Sequence, residues 1–82
     1  MKKRLQVQKG CRIDKIDVMT SDAFEGEYKN CLLSIQKESH NSFYITVETP
    51  GGGHLYDGWW LHGGNKTIKD AVKEALMGAK LI

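Results

Sequence analysis

The stretch Thr67-Ile68-Lys69-Asp70-Ala71-Val72-Lys73-Glu74-Ala75-Leu76-Met77-Gly78-Ala79-Lys80-Leu81 decides the fold. Ile68, Ala71, Val72, Ala75, Leu76 and Ala79 recur at i, i+3, i+4, i+7, i+8 and i+11, which places them on one stripe of an α-helix. Lys69, Asp70, Lys73 and Glu74 fall on the opposite side. Thr67 precedes the stripe with Asp70 three residues on, the spacing of a capping box. Its hydroxyl accepts from an orphan N–H while the carboxylate reaches back to the positive helix end. Gly78 and Lys80 suit the last turn. The stripe is narrow and rich in alanine, so the helix can lie close on a flat partner. In so short a chain that partner is expected to be a β-sheet built from everything upstream.

Upstream of the helix the apolar residues alternate. Leu5 and Val7 share a face, followed by Cys11 and Ile13, and the parity then slips to Ile16 and Val18. One long bent strand over 5–19 accounts for this slip, with a tight hairpin at Lys9-Gly10 as the lesser option. Thr20 to Gly26 is expected as a turn-rich connection whose Phe24 folds back as a lid on the core. Tyr28 to Gln36 forms the next strand, with Cys31, Leu33 and Ile35 on one face. Lys37 to Asn41 is polar and loop-like. Phe43, Ile45, Val47 and Thr49 alternate with Tyr44, Thr46 and Glu48 in the clearest strand of the chain. Pro50-Gly51-Gly52-Gly53 ends it in a turn.

Leu55 to Leu61 is the last strand. Read straight, Leu55, Trp59 and Leu61 face one way and Tyr56, Trp60 and His62 the other. A bulge at Asp57-Gly58 would exchange the two tryptophans, so which of them is exposed stays open. Gly63-Gly64-Asn65 leads into the helix. The expected architecture is α+β: a three- to four-stranded antiparallel meander with one C-terminal amphipathic helix across one face, in β-β-β-β-α order. Residues 1–82 are expected to form a single domain, with 1–4 frayed.

Eighty-two residues bury only about 60% of the surface their unfolded form exposes, so the core must be small. With 40% hydrophobic and 27% charged residues the chain belongs to the ordinary globular class. A net charge of +2 falls well short of the basic excess that marks nucleic-acid binders on its own. No apolar run approaches the ~20 residues of a membrane span, and Met-Lys-Lys-Arg opens the chain without a signal-peptide core. A cytoplasmic protein with no membrane partner is expected, with Cys11 and Cys31 as reduced, packed thiols.

Cys11, Cys31, His40, His54 and His62 are ligand types zinc accepts, yet they lack Cys-x-x-Cys or His-x-x-x-His spacing. No metal site and no cofactor is expected, and no catalytic residue, because no nucleophile stands in a strained elbow. Gly63-Gly64-Asn65-Lys66-Thr67 lacks the Walker spacing, and a loop-plus-cap role explains it.

The tail from Gly64 to Ala75 resembles the end of a double-stranded-RNA-binding domain, in which strands precede a helix whose first turn sets lysines against phosphates. It is similar as well to the strand-then-helix end of HicB-type antitoxin domains. The first resemblance implies Lys66, Lys69 and Lys73 as nucleic-acid contacts, although Lys69 alone stands where that family carries adjacent lysines.

The exposed aromatics point elsewhere. Tyr44, Thr46, Tyr56, Trp60 and His62 are expected to share the sheet face away from the helix, a surface for a protein partner or for a second copy of the chain. Glu48 and Asp57 beside them disfavour stacked bases, which call for positive charge. The size, the lack of a chemical site and the Tyr/Trp-rich sheet resemble small phage and prophage accessory proteins of the anti-CRISPR or host-takeover kind. The expected function is a non-enzymatic protein-interaction module, a regulator or inhibitor; the alternative is an RNA- or DNA-binding module.

Overall fold

Thr67 and Asp70 form the capping box their spacing predicts. Thr67 N–H donates to Asp70 Oδ2 at 2.8 Å and Asp70 N–H donates to Thr67 Oγ1 at 3.3 Å. They start the helix α1, Ile68–Gly78, in a computed structural model that describes residues 5–82. The expectation for residues 1–4 lies outside the described residues. Helix α1 closes on a Schellman motif: Lys80 adopts φ 59°, its N–H donates to Met77 O and Leu81 N–H donates to Leu76 O. The left-handed position is therefore Lys80, while Gly78 is the last helical residue.

The strands are β1 Gln6–Gln8, β2 Cys11–Arg12, β3 Lys15–Met19, β4 Ala23–Tyr28, β5 Cys31–Ser39, β6 Ser42–Glu48 and β7 His54–Leu61. Strands β3 to β7 form one five-stranded antiparallel meander in sequence order, and β1 and β2 pair as a separate hairpin. The fold is α+β with the C-terminal helix as expected, and the meander has more strands than expected.

The surplus arises upstream of Cys31. The long bent strand over 5–19 is instead a hairpin turning at Lys9-Gly10, with Gly10 at φ 82°, followed by β3. The expected connection over 20–26 is mostly strand β4, and Phe24 is not a lid but is fully buried in the core. Tyr28 ends β4 rather than opening the next strand. Lys29 and Asn30 then make a two-residue hairpin turn with φ of 50° and 67°, the left-handed geometry that matches strand twist. Strand β5 runs on to Ser39, where a polar loop was expected.

The register fixes two faces. Phe24, Leu33, Ile35, Phe43, Ile45 and Val47 point to the same side and are buried beneath Ile68, Ala71, Val72, Ala75 and Leu76 of α1. The hairpin β1–β2 adds Leu5, Val7, Cys11 and Ile13 to this core. Gly26 belongs to the same face: a Cβ there would collide with the Lys15 carbonyl oxygen and come to 3.0 Å from the Phe24 ring, which covers the gap. The opposite face carries no layer among the described residues.

Candidate functional site

Residues paired directly across antiparallel strands share a face, so the bare side of the sheet can be laid out in rows. One row runs Lys15, Glu27, Leu32, Glu48 and His54, and the next Val18, Glu25, Ser34, Thr46 and Asp57. A third holds Ala23, Gln36, Tyr44 and Trp59, and Leu61 stands beyond it on β7. Trp59 is 63% exposed, Leu61 74% and Leu32 51%, values that leave large apolar side chains in water.

The Tyr44 and Trp59 rings meet at 4.7 Å between centroids, tilted by 53°. Tyr44 is held from its other end, where the hydroxyl donates to Asp57 Oδ1 at 2.5 Å. That bond, with some burial and the charges of Asp57 and Glu38, raises the phenol pKa. The aromatic pair is thus fixed in place and leaves the Trp59 indole open to a partner.

The rest of the face is acidic. A hollow on it is lined by Asp17, Glu25, Leu32, Ser34, Thr46 and Glu48. Lys15 lies 3.6 Å from both Asp17 and Glu27, and His54 Nε2 lies 3.5 Å from Glu48. These contacts are exposed and add little stability, and Lys15 offsets only part of the charge of Asp17, Glu25, Glu27, Glu48 and Asp57.

Three of the residues expected here lie elsewhere. Tyr44 and Thr46 are on the bare face, whereas Tyr56, Trp60 and His62 point to the helix side. Phe43 opposes Trp60 and Tyr44 opposes Trp59, with no bulge at Asp57-Gly58. Because side chains alternate, Tyr44 cannot share a face with Trp60. The straight alternation of β7 holds, and its outward set is the one with Trp59. Leu61, Leu32 and Trp59 did not figure among the expected site residues; the exposure of Trp59 or Trp60 stood open, and opposing β6 to β7 with Tyr44 beside Trp59 decides it.

The inward set serves the fold. Phe43 stacks on Trp60 at 6.2 Å, and His62 sits 5.2 Å from Phe43 and 5.3 Å from Trp60. Gly64 N–H donates to His62 Nδ1 at 3.0 Å, tying the loop into the helix. Tyr56 hydroxyl donates to Glu74 Oε2 at 2.9 Å. Burial, then that bond, pushes the Tyr56 phenol up to about 12.

Lys66, Lys69 and Lys73 are exposed on the helix side, away from Tyr44 and Trp59. Helix lysines and sheet aromatics therefore do not form one surface. A groove does bring Lys66 and Lys73 beside Trp60, together with Asp70, Glu74 and Met77. Backbone donation from Thr67, followed by its hydroxyl and the charges of Lys66 and Lys69, holds Asp70 below the usual carboxylate range against a smaller opposing effect of burial.

Cys11 and Cys31 are free and buried. The Cys11 thiol beside it, aided by burial, pushes the Tyr28 phenol up to about 12. Among the described residues no three of His, Cys, Asp and Glu are grouped to hold a metal ion, and no helix is long and apolar enough to cross a membrane. No protein-family model, curated protein or solved structure matches this chain.

Proposed function

We propose that the chain is a non-enzymatic binding module that works by protein–protein contact through the bare face of its sheet. The observation that carries this reading is the exposure of Trp59, Leu61 and Leu32 on one unlayered face. Neighbouring exposed apolar side chains such as Trp59 and Leu61 mark interaction sites, and tryptophan anchors are common among the residues that dominate binding energy. The displaced phenols and carboxylate support the non-enzymatic part. Tyr44 is tied to Asp57, Tyr56 to Glu74 and Asp70 to Thr67, and Tyr28 packs in the core, so each is engaged with its own neighbour rather than converging on a shared reaction centre. A small regulator or inhibitor of a larger assembly, of the phage and prophage accessory kind and acting in the cytoplasm, is the biological form of this reading.

Affinity capture with paired variants tests it. Trp59→Ser with Leu61→Ser is expected to lose the captured protein, while Lys69→Glu with Lys73→Glu keeps it. The reverse pattern contradicts the proposal.

The groove holding Trp60, Lys66 and Lys73 favours a second reading, contact with RNA or DNA. Tryptophan fluorescence during titration with single-stranded RNA, duplex RNA and duplex DNA, at low and physiological salt, tests it. Saturable quenching that weakens with salt and disappears in Lys69→Glu/Lys73→Glu would establish nucleic acid as the ligand. A flat trace removes it.

A further inference from the structure

The bare sheet face has two unlike ends, and their arrangement bears on what binds there. Tyr44, Trp59 and Leu61 form an apolar end on β6 and β7. The hollow across β3 to β6 is edged by Asp17, Glu25 and Glu48, with Ser34 and Thr46 as short side chains between them. Asp57 and Glu27 extend the negative charge to either side, and Lys15 is the one lysine or arginine in these rows. Lys66 before the helix and Lys69 and Lys73 on it lie on the other side of the molecule. A chain of net charge +2 thus turns negative charge to solvent on the same face that exposes Trp59, Leu61 and Leu32.

Deepening the protein-docking reading, on which this step rests, we infer that the occupant is an extended segment of another protein that carries an aromatic or aliphatic anchor and lysine or arginine residues. The anchor covers Trp59 and Leu61, and the basic side chains enter the hollow between Glu25 and Glu48. From Trp59 on β7 to Glu25 on β4 is three strand spacings across the sheet and two residues along it, about 16 Å, which an extended segment crosses in about five residues. A second copy seated face to face would set the carboxylates either on one another, a like-charge contact, or over the partner's Trp59 and Leu61, where they lose water without gaining a partner, and both oppose association. An acidic partner or a phosphate backbone meets the same repulsion.

Sorting a displayed library of random linear peptides on the immobilised full chain tests the partner's chemistry without presuming its name. The expected enriched peptides carry lysine or arginine about five residues from an aromatic or aliphatic residue. Their affinity is expected to fall roughly tenfold in Glu25→Lys/Glu48→Lys and to weaken with salt. Both substitutions of this variant change exposed or half-exposed positions, and an unchanged melting temperature shows that the fold is retained. Enrichment of acidic or uncharged peptides, binding untouched by the charge reversal, or no enrichment overturns the inference. So does a sedimenting dimer of the free chain that Trp59→Ser dissociates. If the inference fails while Trp59→Ser/Leu61→Ser still loses the captured protein, the docking face stands and only its proposed occupant falls.

Discussion

The ring edge of Tyr56 lies against Gly78, where a Cβ would collide with ring carbons Cδ2 and Cε2. Strand β7 and helix α1 approach so closely at this point because residue 78 has no side chain. The same approach lets the Tyr56 hydroxyl reach Glu74 at 2.9 Å. Glycine in a helix costs about 1 kcal/mol relative to alanine, so replacing it would ordinarily stabilise.

Gly78→Ala is expected to destabilise instead, by about 1–3 kcal/mol, because the added methyl overpacks against the phenol. Urea unfolding measures this. Gly78→Ala in a Tyr56→Ala background removes the collision and is expected to show the ordinary helix gain. A more stable Gly78→Ala single variant would contradict the described contact.

Alkaline pH should weaken the fold. The phenols of Tyr28 and Tyr56 ionise at about 12 in the folded chain against 10.0 when unperturbed. Folding therefore retains protons that the unfolded chain loses between those values. Their contribution is complete below pH 10, and it is lost as pH rises through 10 toward 12. Melting temperatures measured from pH 8 upward are expected to stay level and then decline, and Tyr56→Phe should make the decline shallower.

The capping box makes an acid-side prediction. Thr67→Ala removes the hydroxyl that accepts from Asp70 N–H and is expected to cost about 1 kcal/mol. Asp70 is held below the ordinary aspartate value of 3.8, so its contribution is present above that pH and fades as pH falls further. In Asp70→Asn the loss of stability on acidification should be smaller than in the parent chain. An equal loss would place the acid sensitivity elsewhere.

The adjacent tryptophans should separate cleanly. Trp59 is 63% exposed, whereas Trp60 packs on Phe43 and His62. Trp60→Ala is expected to lose about 2 kcal/mol or more of stability. Trp59→Ser should stay within about 0.5 kcal/mol of the parent, as surface changes do, while losing partner binding. Equal stability losses at the two positions would contradict the assignment of faces.

Much of this was legible from alternation and spacing. Thr67 and Asp70 announced the helix start, and the run from Phe43 to Glu48 announced β6, because buried and exposed side chains there differ sharply in polarity. Strand β4 hid itself for a physical reason. Gly26 occupies an inward position without an apolar side chain, its place covered by Phe24, so the alternation Phe24, Gly26, Tyr28 looked broken. The turn after it was obscured by Lys29, which takes a left-handed conformation more often held by glycine or asparagine. At the candidate site, the sequence supplied two tryptophans in a row but no register. Only the pairing of Tyr44 with Trp59 places the outward aromatic pair, and only the pairing across β3 to β6 gathers Glu25 and Glu48 around one hollow.

The most direct test of the docking face is site-specific photocrosslinking inside the cell, with a photoreactive phenylalanine derivative placed at position 61 or at position 69. The first lies on the bare face beside Trp59; the second lies on the helix side. A protein adduct from position 61 and none from position 69 is the predicted result. Adducts from position 69 alone, whether to protein or to nucleic acid, would contradict the assignment of the sheet face as the surface on which this chain works.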